Sequence, residues 1–295
     1  MKQLTVISGK GGTGKTTIMA ALAALAKRAV LVDADVDAAD LHLLLHPQIQ
    51  AQEKFMGGKK AVIDLQKCDG CQKCVQACRF GAIANLQVDP LACEGCGVCY
   101  FICPRAAINL TDVQSGEWFI SQTRFGPMVH AKLGVAQENS GKLVTLVRKE
   151  AVKIAQEQNY ALVLIDGPPG IGCPVIASLG GVDAALVVTE PSLSGIHDLE
   201  RILNLCGHFN IPAWVSVNKA DINHDNTQKI KDFCQERGLP VISEIPFDPS
   251  VTKAMIKGLT VVEYAQGAIR EEIGKMWNFF ESALSLPKEK LPEVI

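Results

Sequence analysis

A chain of 295 residues, 48% apolar and 5% aromatic, is long enough to bury one large core or two modest ones, and its net charge of −2 offers no polybasic face for nucleic acid. No apolar stretch approaches the length of a membrane span, so membrane association is not expected. Eleven cysteines without a secretion signal favour a reducing, cytoplasmic setting and metal ligation over disulfides.

The chain opens on a short β-rich run, Leu4–Ile7, that ends in glycines. A helical pattern follows from Lys15 to Lys27, then a second strand, Ala29–Val32, running into Asp33, Asp35 and Asp37. Strand, glycine loop, helix and strand are the start of a parallel βαβ sheet. The loop itself, Gly9-Lys10-Gly11-Gly12-Thr13-Gly14-Lys15-Thr16, fits G-x-x-x-x-G-K-[ST] at full length. A phosphate cradle needs inward backbone N–H groups, which Gly9, Gly11, Gly12 and Gly14 permit, and the partial positive charge of a helix N-terminus. Thr13 and Thr17 belong to the same expected contact set. Lys15 is expected at the β/γ-phosphates and the Thr16 hydroxyl on Mg²⁺.

From about residue 60 to 111 the alternation stops and cysteines take over. Cys68, Cys71, Cys74 and Cys78 form C-x2-C-x2-C-x3-C; Cys93, Cys96, Cys99 and Cys103 repeat it, with Pro104 next. The two segments align cysteine for cysteine and share a trailing Ala-Ile, an internal duplication. Soft thiolates on short glycine-containing turns suit iron–sulfur ligation. Zinc prefers separated C-x2-C pairs totalling four ligands, and two tandem quartets exceed that. The spacing resembles the bacterial two-[4Fe–4S] ferredoxin, whose crossed pattern implies one cluster on Cys68, Cys71, Cys74 and Cys103 and another on Cys93, Cys96, Cys99 and Cys78. Arg79 stands where a proline often follows the first run. Cys173, Cys206 and Cys234 lack such spacing, and packing is expected for the last two.

Sheet signals resume at Trp118–Thr123 and Val129–Val135, and a helix is predicted over Lys142–Gln158. The run Ala161–Ile165 leads to Asp166, and Ala184–Val188, Ala213–Val217 and Val241–Ile245 read as further buried strands. Amphipathic stretches lie at about His197–Phe209 and Asn226–Arg237. Ala265–Leu284 reads as a closing helix before a Pro-containing tail; its run Met276-Trp277-Asn278-Phe279-Phe280 is expected to pack aromatics on the core rather than to form a membrane-targeting tail, since Glu271, Glu272 and Glu281 leave it little basic face. The six histidines are scattered without metal-site spacing.

Lys10, a second lysine early in the loop, makes K-G-G-T-G-K-T resemble the deviant Walker A motif of the MinD/ParA/nitrogenase-iron-protein superfamily. That resemblance implies that Lys10 reaches a partner's nucleotide across a dimer interface, so Lys10, Lys15 and Asp35 form the implied catalytic set. Val32-Asp33-Ala34-Asp35 looks like the family's first switch, with Asp35 positioning the attacking water. Ile165-Asp166-Gly167-Pro168-Pro169-Gly170 resembles its Walker B and second switch, with Asp166 acting on Mg²⁺ through water. Val217-Asn218-Lys219 and Ile245-Pro246-Phe247-Asp248 resemble the adenine-contacting segments, Asn218 and Pro246 in particular. ATP/ADP and Mg²⁺ are the implied cofactors beside the two [4Fe–4S] clusters. The resemblance covers Lys2 to about Glu263 apart from the insert.

The implied fold is α/β, a mostly parallel P-loop NTPase sheet flanked by helices, with an inserted small α+β ferredoxin-like domain. The expected boundaries are 1–59 and 112–295 for the ATPase and 60–111 for the insert. Mrp-type cluster carriers use a C-terminal C-x-x-C that this sequence lacks. MinD-like ATPases with an inserted ferredoxin domain are more similar, including the stretches Ser121–Pro127 and Glu138–Lys142. Three functions follow. One is an ATP-dependent dimer, homodimer or related heterodimer, coupling nucleotide state to electron transfer or metallocluster maturation with a redox or metallocluster protein partner. Another is a non-redox iron–sulfur scaffold, carrier or sensor. The third is a ligase related to cobyrinic acid diamide synthases, for which no Cys–His glutaminase portion is recognisable.

Overall fold

The computed structural model describes residues 1–134 and 140–287. Val135, Glu138 and Asn139, which carried part of a predicted strand and of a family-like stretch, lie outside the described residues. The chain divides into two compact units, one of residues 1–52, 118–132 and 140–295, the other of residues 53–117 and 133–139.

In chain order the first elements are β1 (Lys2–Ser8), α1 (Lys15–Ala26), β2 (Ala29–Asp33), α2 (Leu41–Leu45), β3 (Gln48–Phe55) and β4 (Gly58–Ile63). The cysteine region holds α3 (Lys73–Ala77), β5 (Ile83–Ala84), β6 (Gln87–Val88), α4 (Val98–Ile102) and β7 (Ile108–Val113), and is followed by β8 (Gly116–Thr123) and β9 (Gly126–Leu133). Then come α5 (Ser140–Glu157), β10 (Leu162–Pro169), α6 (Cys173–Leu179), β11 (Ala184–Thr189), α7 (Leu193–His208), β12 (Ala213–Asn218) and α8 (His224–Glu236). The last are β13 (Val241–Ile245), α9 (Ser250–Ile256), α10 (Val261–Tyr264) and α11 (Ala268–Ala283).

Nine strands form one sheet in the order β13-β12-β11-β1-β10-β2-β9-β8-β3. The pairings from β13 through β9 are parallel. This is the α/β P-loop arrangement expected. β1, β2, β10 and β11 are buried almost throughout and rich in Val, Ile and Leu, as strands covered on both faces must be. Register matters for the site: β1 sets Val6 beside Asp166, and β10 sets Asp166 beside Asp33. Two carboxylates thus lie side by side on adjacent strands near the carboxyl edge, where open α/β sheets bind ligands.

α1 is apolar on nearly every side and packs between the sheet and the C-terminal helices α10 and α11. Met276, Trp277 and Phe280 are buried in that core, so the last helix keeps its aromatics inside. The predicted helix Ala265–Leu284 is corrected: α10 stops at Ala265, which is extended, and Gly267 at φ 77 precedes α11. Side-chain caps also move helix starts. Ser192 accepts a hydrogen bond from the Gly195 N–H, so α7 begins at Leu193, ahead of His197. Asn223 accepts one from Asn226 N–H, so α8 begins at His224.

In the second unit the predicted lack of periodicity is also corrected. β4 and β7 form an antiparallel ladder from Gly58↔Val113 to Ile63↔Ile108. β5 and β6 are joined by Asn85 and Leu86, both at positive φ (49° and 59°), as a type I′ turn requires. Its small core of Ala61, Ala82, Cys93 and Ile108 has Cys74, Cys78, Cys99 and Cys103 packed around it.

Candidate functional site

The glycine loop leaves β1 and enters α1 through Gly12 at φ 79 and Gly14 at φ 90, a backbone that L side chains rarely adopt. A Cβ at Gly14 would collide with the Asn218 amide, whose Nδ2 donates to the Thr13 carbonyl at 2.8 Å. Asn218, at the end of β12, therefore braces the loop. A cavity of about 590 Å³ starts at Gly11–Thr17, passes Asp35, Asn218, Pro246 and Phe247, and ends on Val261, Ile269 and Ile273. Its size suits a nucleotide-sized ligand, and its two ends differ in chemistry: backbone N–H groups and Lys15 at one, apolar side chains at the other. The loop residues Gly11, Gly12, Thr13, Gly14, Lys15, Thr16 and Thr17 all line it, with Asp35, Asn218 and Pro246. Gly9 is instead pressed against Asp198, where a Cβ would collide with that residue's backbone and side chain.

Lys15 is buried among carboxylates. Its Nζ lies 2.7 Å from Asp166 Oδ1 and 3.8 Å from Asp35 Oδ2. Burial lowers its pKa, but Asp166, then Asp35 and Asp33, more than offset this and raise it overall. One cation cannot neutralise three acids. Burial pushes the Asp35 carboxyl up to about 6, held back in part by Lys15 and raised further by Asp166. Asp33, fully buried, is driven well above the usual carboxylate range by burial and then by Asp166. It also shapes the local chain, accepting hydrogen bonds from Asp35 N–H at 3.2 Å and Leu41 N–H at 3.1 Å. Asp166 Oδ2 and Thr13 Oγ1 are buried without a hydrogen-bond partner. Two orphaned oxygens beside the loop mark where a ligand and its cation would complete the shell.

Lys10 does not line the cavity. Its Nζ is held by Glu190 Oε1 at 2.7 Å, Ser192 Oγ at 3.0 Å and Ser194 Oγ at 2.9 Å. Glu190 also takes Lys219 at 3.0 Å. Despite partial burial, these two lysines keep Glu190 below the ordinary carboxylate range. Sequence reasoning passed over Glu190, Ser192 and Ser194. Their only signal is a polar Thr-Glu-Pro-Ser turn after a buried strand.

The eight motif cysteines fall into two recesses of the second unit. Cys68, Cys71, Cys74 and Cys103 line one; Cys78, Cys93, Cys96 and Cys99 line the other. The fourth cysteine of each run thus sits with the first three of the other run. The duplication is visible in the backbone. Gly70 and Gln72 in one copy, Gly95 and Gly97 in the other, have positive φ, and Gln72 and Gly97 open five-residue helices α3 and α4. The Ala107 N–H donates to Cys103 Sγ at 3.3 Å. Among the described residues no three or more His, Cys, Asp or Glu side chains converge to hold a single metal ion. Cys206 and Cys234 are buried in α7 and α8 and burial pushes both thiols up to about 11, making them packing groups. Cys173, at the start of α6, is exposed.

Sheet order, glycine loop, buried lysine and paired aspartates define a P-loop nucleotide-binding protein. The family model for the CobQ/CobB/MinD/ParA nucleotide binding domain matches residues 4–261, and the chain belongs to that family. It is a P-loop nucleotide-binding protein of the MinD/ParA type. An uncharacterized protein of Methanocaldococcus jannaschii is 30% identical over 279 residues, covering 93% of this chain and 95% of that one. Among solved structures, the Pyrococcus furiosus cell division ATPase MinD superposes with a TM-score of 0.61 at 18% identity, covering 96% of this chain and 99% of that one. The septum site-determining protein MinD of Pyrococcus horikoshii, complexed with Mg-ADP, gives 0.60 at 17% identity, covering 96% of each.

Proposed function

We propose that this protein is an ATP-binding and ATP-hydrolysing switch that carries two [4Fe–4S] clusters and couples its nucleotide state to electron transfer or metallocluster maturation. The observation that carries the reading is the sorting of eight cysteines into two crossed quartets around separate recesses. Cys68, Cys71, Cys74 and Cys103 would hold one cluster and Cys78, Cys93, Cys96 and Cys99 the other, and such clusters supply one-electron chemistry when bound. On this reading residues 60–111 are a ferredoxin-like insert within an ATPase domain of 1–59 and 112–295, working in the cytoplasm.

At the nucleotide, Lys15 would exchange Asp166 for the β- and γ-phosphates, which would free Asp166 to help hold Mg²⁺, an ion that would neutralise phosphate charge. Thr16 contributes its hydroxyl to the cation. Mg-ADP in the Pyrococcus horikoshii MinD supports the same ligand here. Asp35 orients the attacking water from the first switch; Asn218 and Pro246 border the base. Lys10 leaves Glu190 and reaches the nucleotide of a second copy or a related chain, so closure is ATP-dependent. A redox or metallocluster protein is the partner that receives the product of closure.

The test is compositional. Anaerobically prepared protein should hold about eight irons and eight sulfides per chain. Cys78→Ser should damage the cluster on Cys93, Cys96 and Cys99 and spare the one nearest in sequence. Stoichiometric zinc in place of iron would reject the reading. Clusters that pass intact to apo-proteins without reducing any partner would identify a carrier instead.

A further inference from the structure

The recess formed by Cys78, Cys93, Cys96 and Cys99 has one charged side chain in its lining, Glu94. Cys93 is the most deeply buried of the eight motif cysteines, 7% exposed. The Lys60 ammonium on β4 donates a hydrogen bond to the Cys93 backbone carbonyl. The contact is built in. Gly95 lies so close to the Lys59 carbonyl that a Cβ there would collide with it, so the cysteine loop is pressed onto β4 where Lys60 reaches it. The neighbouring lysine does something else: Lys59 is solvent-exposed and turns to Asp112 at 3.8 Å. The other recess has its own charges, with Lys73 in its lining and Arg105 paired to Asp69 at 2.9 Å.

Resting on the cluster reading above, we propose that Lys60 is a positioning residue that raises the reduction potential of the cluster held by Cys78, Cys93, Cys96 and Cys99, and of that cluster alone. A four-thiolate cluster gains one negative charge when it accepts an electron, so a nearby cation stabilises the reduced level more than the oxidised one. No bond forms or breaks at Lys60 and no proton moves; one electron enters the cluster from an external reductant. Burial of Cys93 reduces solvent screening, so the charge is felt more strongly there than on an exposed ligand.

The experiment uses the full chain, loaded anaerobically, reduced stepwise with dithionite and read by electron paramagnetic resonance. Cys68→Ser removes the other cluster and assigns the signals. Lys60→Met should lower the equilibrium constant for reducing the assigned cluster about tenfold, ~59 mV for a one-electron couple. Lys60→Arg should restore it, and Lys59→Met should leave both clusters unmoved. Unchanged potentials in Lys60→Met, equal shifts in both clusters, or an equal effect from Lys59→Met would each overturn the inference while eight bound irons left the cluster reading standing. Loss of that cluster in Lys60→Met, with recovery in Lys60→Arg, would show an anchoring role and overturn it as well. Wild-type protein that takes up no iron would sink the cluster reading and this inference together.

Discussion

Lys15 is one ammonium facing Asp33, Asp35 and Asp166, with two of those carboxylates buried. An arrangement with excess negative charge at its centre favours an incoming Mg²⁺, which relieves the repulsion among the carboxylates and lets Lys15 turn to phosphate. Lys15→Ala should therefore weaken Mg·ATP binding on the order of a hundredfold or more, since each hydrogen bond to a charged group contributes about 1.5–3 kcal/mol; calorimetry with Mg·ATP measures it. Asp35→Ala should bind Mg·ATP almost as wild type does but hydrolyse it about a hundredfold more slowly, the scale of a lost proton-handling group. Equal turnover in the two proteins would remove Asp35 from the site. The loop residues could be read from the sequence because their spacing is local and their chemistry needs those residue types. The resting partner of Lys10 could not. Glu190 is distant in the chain, and only the parallel placement of β11 beside β1 brings it to the loop.

At the scale of elements, β9 places His130 in register with Asp33 of β2. Its ring stacks on Phe119 with centroids 4.9 Å apart and its Nε2 lies 2.9 Å from Ser121 Oγ. Burial, and secondarily His42, lowers its pKa from 6.5 to about 4. The unfolded chain then binds a proton that the folded chain refuses between those two values. Stability should be unaffected by His130 above pH 6.5 and should fall as the pH drops towards about 4, by no more than about 3 kcal/mol. His130→Gln should flatten that part of the profile; urea midpoints across the window provide the check, and an unchanged slope would show that His130 is not responsible. The buried strands were readable because they are continuous apolar runs. β3 was not: Gln48–Phe55 lies at the sheet edge and is exposed over most of its length, so nothing in its composition demands a strand. The break before α11 was equally hidden, since it lies in the backbone, with Ala265 extended and Gly267 at φ 77, and not in the apolar spacing.

For the molecule as a whole, two motifs with strict spacing stand in the sequence, and the fold gives each its own compact unit. The crossed grouping of the cysteines came from resemblance to ferredoxins, because a spacing alone does not say which thiol joins which set. The second unit's β4–β7 ladder escaped notice for a physical reason: its core is made of small residues and cysteines, so hydrophobic periodicity is faint. On the proposed reading, nucleotide state reaches the clusters. The measurement is an anaerobic redox series followed by electron paramagnetic resonance, with and without a non-hydrolysable ATP analogue, on wild type and Lys10→Ala in the presence of the native partner. In wild type the analogue should change cluster potential or the rate of electron delivery. Lys10→Ala should bind the analogue, stay monomeric and show no such change. Cluster behaviour that is identical in every nucleotide state for both proteins would contradict that reading.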